Sequence, residues 1–322
     1  MQKLQTVKGT KDLFGQVAVD HEHIYDVFIQ ICEFLNFQKI FTPIIEYSDV
    51  FKKTLGTASD IITKEMYNFT DQGGDDLVLR PEGTAAVARA IISNSLQDQI
   101  NKNYYYFGPM FRRERPQSGR LRQFHQVGVE IFGEKNFYDD VRSIILAEKF
   151  LSKLKVRDKL KLQINTLGNK ESRLKYIKIL KNFFKENISY LSPESKKKIE
   201  INPLRILDSK NEEDQEIIIK SPLINDFLDK ESNNFFKNFC DALDSLDLKF
   251  EINQKLVRGL DYYNHTAFEY VTNSEKSQNA VLAGGRYDGL VKSLGGGDLT
   301  GVGWAAGVER IKLILDNNHK QR

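Results

Sequence analysis

Only two cysteines, Cys32 and Cys240, occur in the 322 residues, far apart along the chain and with no CxxC pair or nearby histidine. That excludes a disulfide framework and a zinc-ribbon spacing, and leaves two buried free thiols as the expectation. Long apolar runs are missing too. The longest, such as EIIIK at 216–220, fall far short of the roughly 18 residues that cross a bilayer, so no membrane partner is expected. The opening MQKLQTVKGTKDLFG has neither the apolar core nor the small-residue cleavage site of a secretion signal, which makes the cytoplasm the expected location. Histidine is scarce: His21, His23, His125, His265 and His319 show no HExxH or comparable spacing. No metal site built from protein side chains alone is therefore expected. Glycine disappears between Gly168 and Gly259, although the chain has 21.

What is present fits a globular chain. Hydrophobic residues make up 40% and the net charge is only +3, so the protein as a whole is not a polycation. The charge is uneven, however: residues 149–185 hold twelve Lys/Arg against two acidic residues, a zone that faces either phosphates or plain solvent. Helical spacing of Ile24, Val27, Phe28, Ile31 and Leu35 predicts an amphipathic helix over 20–37, with Asp20 as its cap. It runs into KIFTPIIEY, a strand interrupted by Pro43 and a candidate dimer surface. LVLRPEGTAAVARAII reads as strand, turn and a helix beginning near Thr84; KNYYYFGPMFRRE and 124–132 read as strands, and 141–154 as a helix. The Lys/Glu/Asn-rich, glycine-free stretch 169–249 looks like a helical insertion domain. It divides a core of residues 1–168 and 250–322.

Several constellations could carry chemistry. Arg112, Arg113, Arg115, Arg120 and Arg122 flank a Pro-Gln-Ser-Gly hinge between two strands. Guanidinium forks suit bidentate phosphate contacts and the charge of a transferring phosphoryl group, and such a loop suits a nucleic-acid backbone equally. In the following strand Gln126, Gly128 and Glu130 share one face while Val127, Val129 and Ile131 share the other. The polar face admits a small ligand close to the backbone; a half-exposed strand remains the alternative. Glu82 and Thr84, in RPEGT, read either as ligand contacts or as a helix cap. Arg258, Asp261, Tyr262 and Tyr263 surround Gly259 in a turn that is either a site or core filling. Gly301, Gly303 and Gly307 are spaced GxGxxxG, a near miss to the dinucleotide fingerprint, ahead of Glu309-Arg310.

Taken in order, these segments resemble the class II aminoacyl-tRNA synthetases, and among them the histidyl-tRNA synthetases. FTPIIEYSDVF is similar to that family's first motif, FRRERPQSGRLRQFHQVGVE to its second and GVGWAAGVERIKLIL to its third. LVRGLDYYNHTAFE and LAGGRYDGL resemble the two segments peculiar to the histidine enzymes. The likeness is weakest across 169–249.

The resemblance implies an α+β fold, an antiparallel sheet flanked by helices, that activates L-histidine with ATP and transfers it to the 3′ end of tRNA-His. Carried onto these positions, Arg112 and Arg258 are the catalytic pair across the α-phosphate. Phe124 and Arg310 enclose the adenine. Glu82, Thr84 and Gln126 hold the α-ammonium, and Glu130, Tyr262 and Tyr263 line the imidazole pocket. Arg115, Gln117 and Arg120 meet the tRNA acceptor end, and Mg²⁺ chelates the β- and γ-phosphates. A homodimer is implied. So is an anticodon-binding domain of about a hundred residues beyond the third motif; the sequence, which ends at Arg322, is read as the catalytic core without it. The competing expectation is a non-catalytic, histidine-sensing regulatory subunit of ATP phosphoribosyltransferase. The intact loop ERPQSGRLRQFHQ and Glu309-Arg310 argue against it.

Overall fold

The computed structural model describes residues 3–56, 59–99, 102–117, 119–272 and 280–319. Helix α1 (Gln16–Phe34) begins before Asp20, turning in through Gly15 at φ 57°. β1 (Gln38–Lys39) and β2 (Ile45–Tyr47) flank Pro43, and α2 (Ser48–Leu55), β3 (Tyr67–Thr70), β4 (Asp76–Leu79) and α3 (Thr84–Ser93) follow. β5 (Asn103–Phe111) and β6 (Gln123–Gly133) bracket the arginine loop, ahead of α4 (Tyr138–Lys153) and β7 (Leu160–Thr166). α5 (Lys170–Glu186), α6 (Pro193–Ile201), α7 (Glu212–Lys220) and α8 (Lys230–Ser245) fill the glycine-free stretch. Then come β8 (Glu251–Ile252), β9 (Asn264–Thr272), β10 (Ala280–Arg286), α9 (Leu290–Ser293), β11 (Thr300–Gly307) and α10 (Val308–His319).

Eight strands form one sheet in the order β1-β5-β6-β11-β10-β9-β7-β8. Its interior is antiparallel; only the edge pairs β1–β5 and β7–β8 are parallel. A small antiparallel sheet, β2-β4-β3, stands beside it. The single strand expected across Pro43 is therefore two, one in each sheet, because proline offers no N–H to continue a ladder.

The alternation in β6 decides which side holds the core. Val127, Val129 and Ile131 point into a cluster shared with α1, α4 and α8, leaving Gln126, Gly128 and Glu130 on the opposite face. Cys32 is buried in that cluster and Cys240 packs at its border, both as free thiols. The helices of 169–249 start on side-chain caps, Asn169, Ser192, Asn211 and Asp229, which explains four helices in a stretch of ordinary propensity. α5, α6 and α7 pack together in a second cluster with Leu191, Ile199, Leu204, Ile206, Ile217 and Ile218, which continues onto the sheet, while α8 goes elsewhere. Phe236, Phe239 and Leu243 of α8 join the main cluster, whereas Tyr176, Leu180 and Phe184 of α5 pack with Tyr104, Tyr106 and Tyr287 on the other side of the sheet. Among the described residues no helix is long and apolar enough to cross a membrane.

Candidate active site: a cleft over the central strands

The polar face of the sheet forms the floor of a cleft of about 330 Å³. From the start of α3 come Glu82 and Thr84, from the end of β5 Arg112, from β6 Phe124 and Gln126, from the turn before β9 Arg258, Tyr262 and Tyr263, and from α10 Arg310. Nine of the residues picked from sequence thus converge, although they lie on five separate segments.

Glu82 serves first as a helix cap: its carboxylate accepts from the backbone N–H of Thr84 at 2.6 Å and of Ala85 at 2.9 Å. Burial raises its pKa, and those N–H groups and Arg112 oppose the rise. Glu130 does not line the cleft but is wholly buried behind Thr84, whose hydroxyl donates to it at 2.6 Å. Tyr106 donates at 3.1 Å and Tyr287 donates to its other oxygen. Burial pushes the Glu130 carboxyl up to about 8, against the Thr84 and Tyr287 hydroxyls and with help from the Glu82 charge.

Two glycines make this possible. A Cβ at Gly128 would run into the Tyr106 ring, and one at Gly303, which is opposite Glu130 in the ladder, would strike the Glu130 carboxylate and the Val129 carbonyl. Gly303 therefore opens room for a carboxylate rather than for a dinucleotide.

The arginines are held in place. Arg112 donates from Nε to the Pro81 carbonyl at 2.8 Å and its guanidinium stacks over Phe124 at 5.3 Å. Arg258 pairs with Glu269 and stacks over Tyr263, also at 5.3 Å. Arg310 donates to the Ala280 carbonyl. Three buried polar atoms among the predicted contacts have no partner: Gln126 Oε1, Tyr262 Oη and Arg258 Nε. Buried polar groups are rarely left so, and a polar ligand would satisfy them.

The loop residues behave differently. Arg120 turns inward, lines the cleft and pairs with Glu114, while Gln117 and Arg120 exchange backbone hydrogen bonds at 3.1 and 3.0 Å that close the tip. Arg115 and Gln117 are exposed and do not line the cleft. Asp261 likewise lies outside the cleft, where it accepts from Asn202 at 2.9 Å.

Sequence reading missed Tyr106 and Tyr287, the supports of Glu130, and the lining residues Glu114, Glu269, Asp208 and Lys210. Tyr106 could have been found, since alternation in YYYF puts it on the same side as Tyr104. Asp208 and Lys210 come from the helical stretch and carry no local signal. His21, His125 and Glu309, unrelated by spacing along the chain, also come together.

A large, mostly antiparallel sheet flanked by helices, with a polar cleft on one face, is the architecture of the class II aminoacyl-tRNA synthetases. Residues 9–172 and 210–311 match the family described as histidyl-tRNA synthetase, the gap between the two parts falling within the helical stretch. The chain is 48% identical over 315 residues to a histidine–tRNA ligase of Rhodospirillum rubrum, covering 98% of this chain and 76% of that one. Against one from Ehrlichia ruminantium it is 46% identical over 319 residues, covering 99% and 76%. A crystal structure of apo S. aureus histidyl-tRNA synthetase superposes with a TM-score of 0.79 at 32% identity, covering 98% of this chain and 75% of the other. The chain belongs to the histidyl-tRNA synthetase family. A solved Bacillus halodurans protein titled as an ATP phosphoribosyltransferase regulatory subunit/histidyl-tRNA synthetase shares the fold, with a TM-score of 0.70 at 21% identity.

Proposed function

We propose that this chain is a histidine–tRNA ligase: its cleft activates L-histidine with ATP and passes the histidyl group to the 3′ end of tRNA-His. The observation that carries this reading is the convergence of Thr84, Gln126, Arg112 and Arg258 on one cleft, with the carboxyl of Glu130 buried behind Thr84. A buried carboxylate behind the cleft wall and two guanidiniums lining the cleft suit the imidazole of one substrate and the phosphate of the other.

In the first step a carboxylate oxygen of histidine attacks the α-phosphorus, the new O–P bond forms and pyrophosphate leaves. No protein nucleophile is needed. Positioning and neutralisation of charge suffice, each worth several kcal/mol. Arg112 and Arg258 neutralise the phosphoryl oxygens, the Arg258 Nε being the unpartnered donor. Phe124 and Arg310 enclose the adenine. Glu82, Thr84 and Gln126 take the α-ammonium, with Glu82 giving up part of its capping role. Tyr263 reads one imidazole nitrogen beside Tyr262, and Glu130, buried behind the Thr84 hydroxyl, reaches the other once that hydroxyl turns aside; a site that hydrogen-bonds both rejects isosteres lacking them by factors on the order of 10⁴. Mg²⁺ takes oxygen ligands, mostly from phosphates with one or two carboxylates; Glu114 and Glu269 line the cleft next to the arginines and fit that need. The ion supplies neutralisation of the leaving pyrophosphate when bound.

In the second step the tRNA 3′-terminal ribose hydroxyl attacks the activated carbonyl and AMP leaves. Exposed Arg115 and Gln117 meet the acceptor end, and Arg120 joins them by releasing Glu114. A homodimer is proposed through the segment around Pro43, where Phe41, Ile45 and Tyr47 are exposed. Charging of tRNA-His with labelled histidine tests the reading: acid-stable labelled tRNA from wild type, and at least tenfold less from Arg115→Ala/Gln117→Ala with unchanged adenylate formation, is the expected result.

A further inference from the structure

We propose that His21, His125 and Glu309 form a binding site for a divalent transition-metal ion of the zinc class. The three residues come from α1, β6 and α10, and one donor atom of each lies within 4.8 Å of the other two. Two imidazoles and a carboxylate are a donor set that zinc accepts, with further positions open to water. Ligand bonds near 2.0–2.2 Å place donors roughly 3.3 Å apart, so the widest gap must close by about 1.5 Å, which side-chain rotation supplies.

Two further observations point to a ligand. His21 is only 4% exposed, yet its Nδ1 has no hydrogen-bond partner. The neighbouring Tyr25 hydroxyl is buried and unpartnered as well. The His21 and His125 rings meet edge to face with centroids 5.3 Å apart, so both can turn a nitrogen toward Glu309. Glu309 already accepts from the His125 backbone N–H at 3.0 Å and approaches its Nδ1 at 2.8 Å. With the imidazole hydrogen on Nε2, Nδ1 is free to ligate while the second carboxylate oxygen keeps the backbone bond. The nearby cation, Lys312, is neutralised by Asp20 at 2.9 Å and Asp316 at 2.7 Å. A bound ion ties α1 to the strand that carries Phe124 and the helix that carries Arg310. It thereby clamps the nucleotide end of the cleft without entering the phosphate chemistry, and it is independent of the Mg²⁺ assigned there.

The test is titration of the chelator-treated full chain with Co²⁺, followed by visible absorption, and with Zn²⁺, followed by melting temperature. One equivalent of Co²⁺ with low-symmetry d–d bands, and a rise in melting temperature with Zn²⁺, are expected for wild type and for the surface control His23→Ala. His21→Phe and His21→Gln are each read only if their metal-free circular dichroism matches wild type, and both should lose bands and shift. Absence of saturable binding in wild type overturns the site. So do bands that persist in a folded His21 variant or vanish in His23→Ala.

Discussion

Glu130 is held where a carboxyl retains its proton to about pH 8, whereas an unfolded glutamate loses it near 4.3. Between those values the folded chain binds more protons than the unfolded chain, so stability declines as pH rises through the window. Glu130→Gln removes that group from the balance. Melting temperatures of variant and wild type should agree best near pH 5 and diverge in the variant's favour toward pH 9, while the KM for histidine rises severalfold, up to about tenfold, the loss of a neutral hydrogen bond worth ~0.5–1.5 kcal/mol. Arg258 allows a similar separation. Arg258→Ala should leave histidine binding by calorimetry nearly intact and lower adenylate formation ~10²–10³-fold. It also leaves Glu269 without its partner in a largely buried place, which lowers the melting temperature. Adding Glu269→Gln should restore much of the stability and none of the activity; a recovery of pyrophosphate exchange in the double variant would remove Arg258 from the catalytic pair.

At the scale of elements, the site depends on close approaches that only particular backbones permit. Gly303→Ala puts a methyl group against the Glu130 carboxylate and a backbone carbonyl in β6. Because a carbonyl in a paired strand cannot swing aside, the prediction is a lower melting temperature together with impaired histidine binding. Arg173 of α5 links the helical stretch to the site: its Nη1 donates to the carbonyls of Asp261 at 2.7 Å and Tyr263 at 2.9 Å. Arg173→Met should raise the KM for histidine with circular dichroism unchanged, and Arg173→Lys should recover part of the loss. Elements with strong alternation or a clear turn, β5, β6 and α3, were legible in sequence. The break at Pro43 was visible, but the consequence, two strands in two sheets, depends on β4 and β5 being there to receive them. The packing of 169–249 was not legible, since nothing in the spacing of Phe236 and Phe239 says that α8 turns to the far side of the sheet.

At the scale of the whole molecule, most cleft residues could be picked out because each sits beside its own local signal, a glycine turn, an arginine hinge or a helix start. Their supports could not. Tyr287 reaches Glu130 across 157 residues of sequence, and Lys210 enters from a stretch read only as a helical insertion. The meeting of His21, His125 and Glu309 was hidden for the same reason: spacing along the chain reports nothing about α1 meeting β6. Assembly belongs to this scale too. Light scattering should give twice the mass of one chain, and Ile45→Glu, a charge on the exposed apolar segment, should give a monomer with reduced adenylate formation. The central claim, that this cleft activates histidine, is tested most directly by ATP–pyrophosphate exchange in Mg²⁺ with each of the twenty amino acids. Exchange with histidine alone, lost in Arg258→Ala, is the predicted result. Histidine binding without exchange would contradict it and leave a histidine sensor on a synthetase fold.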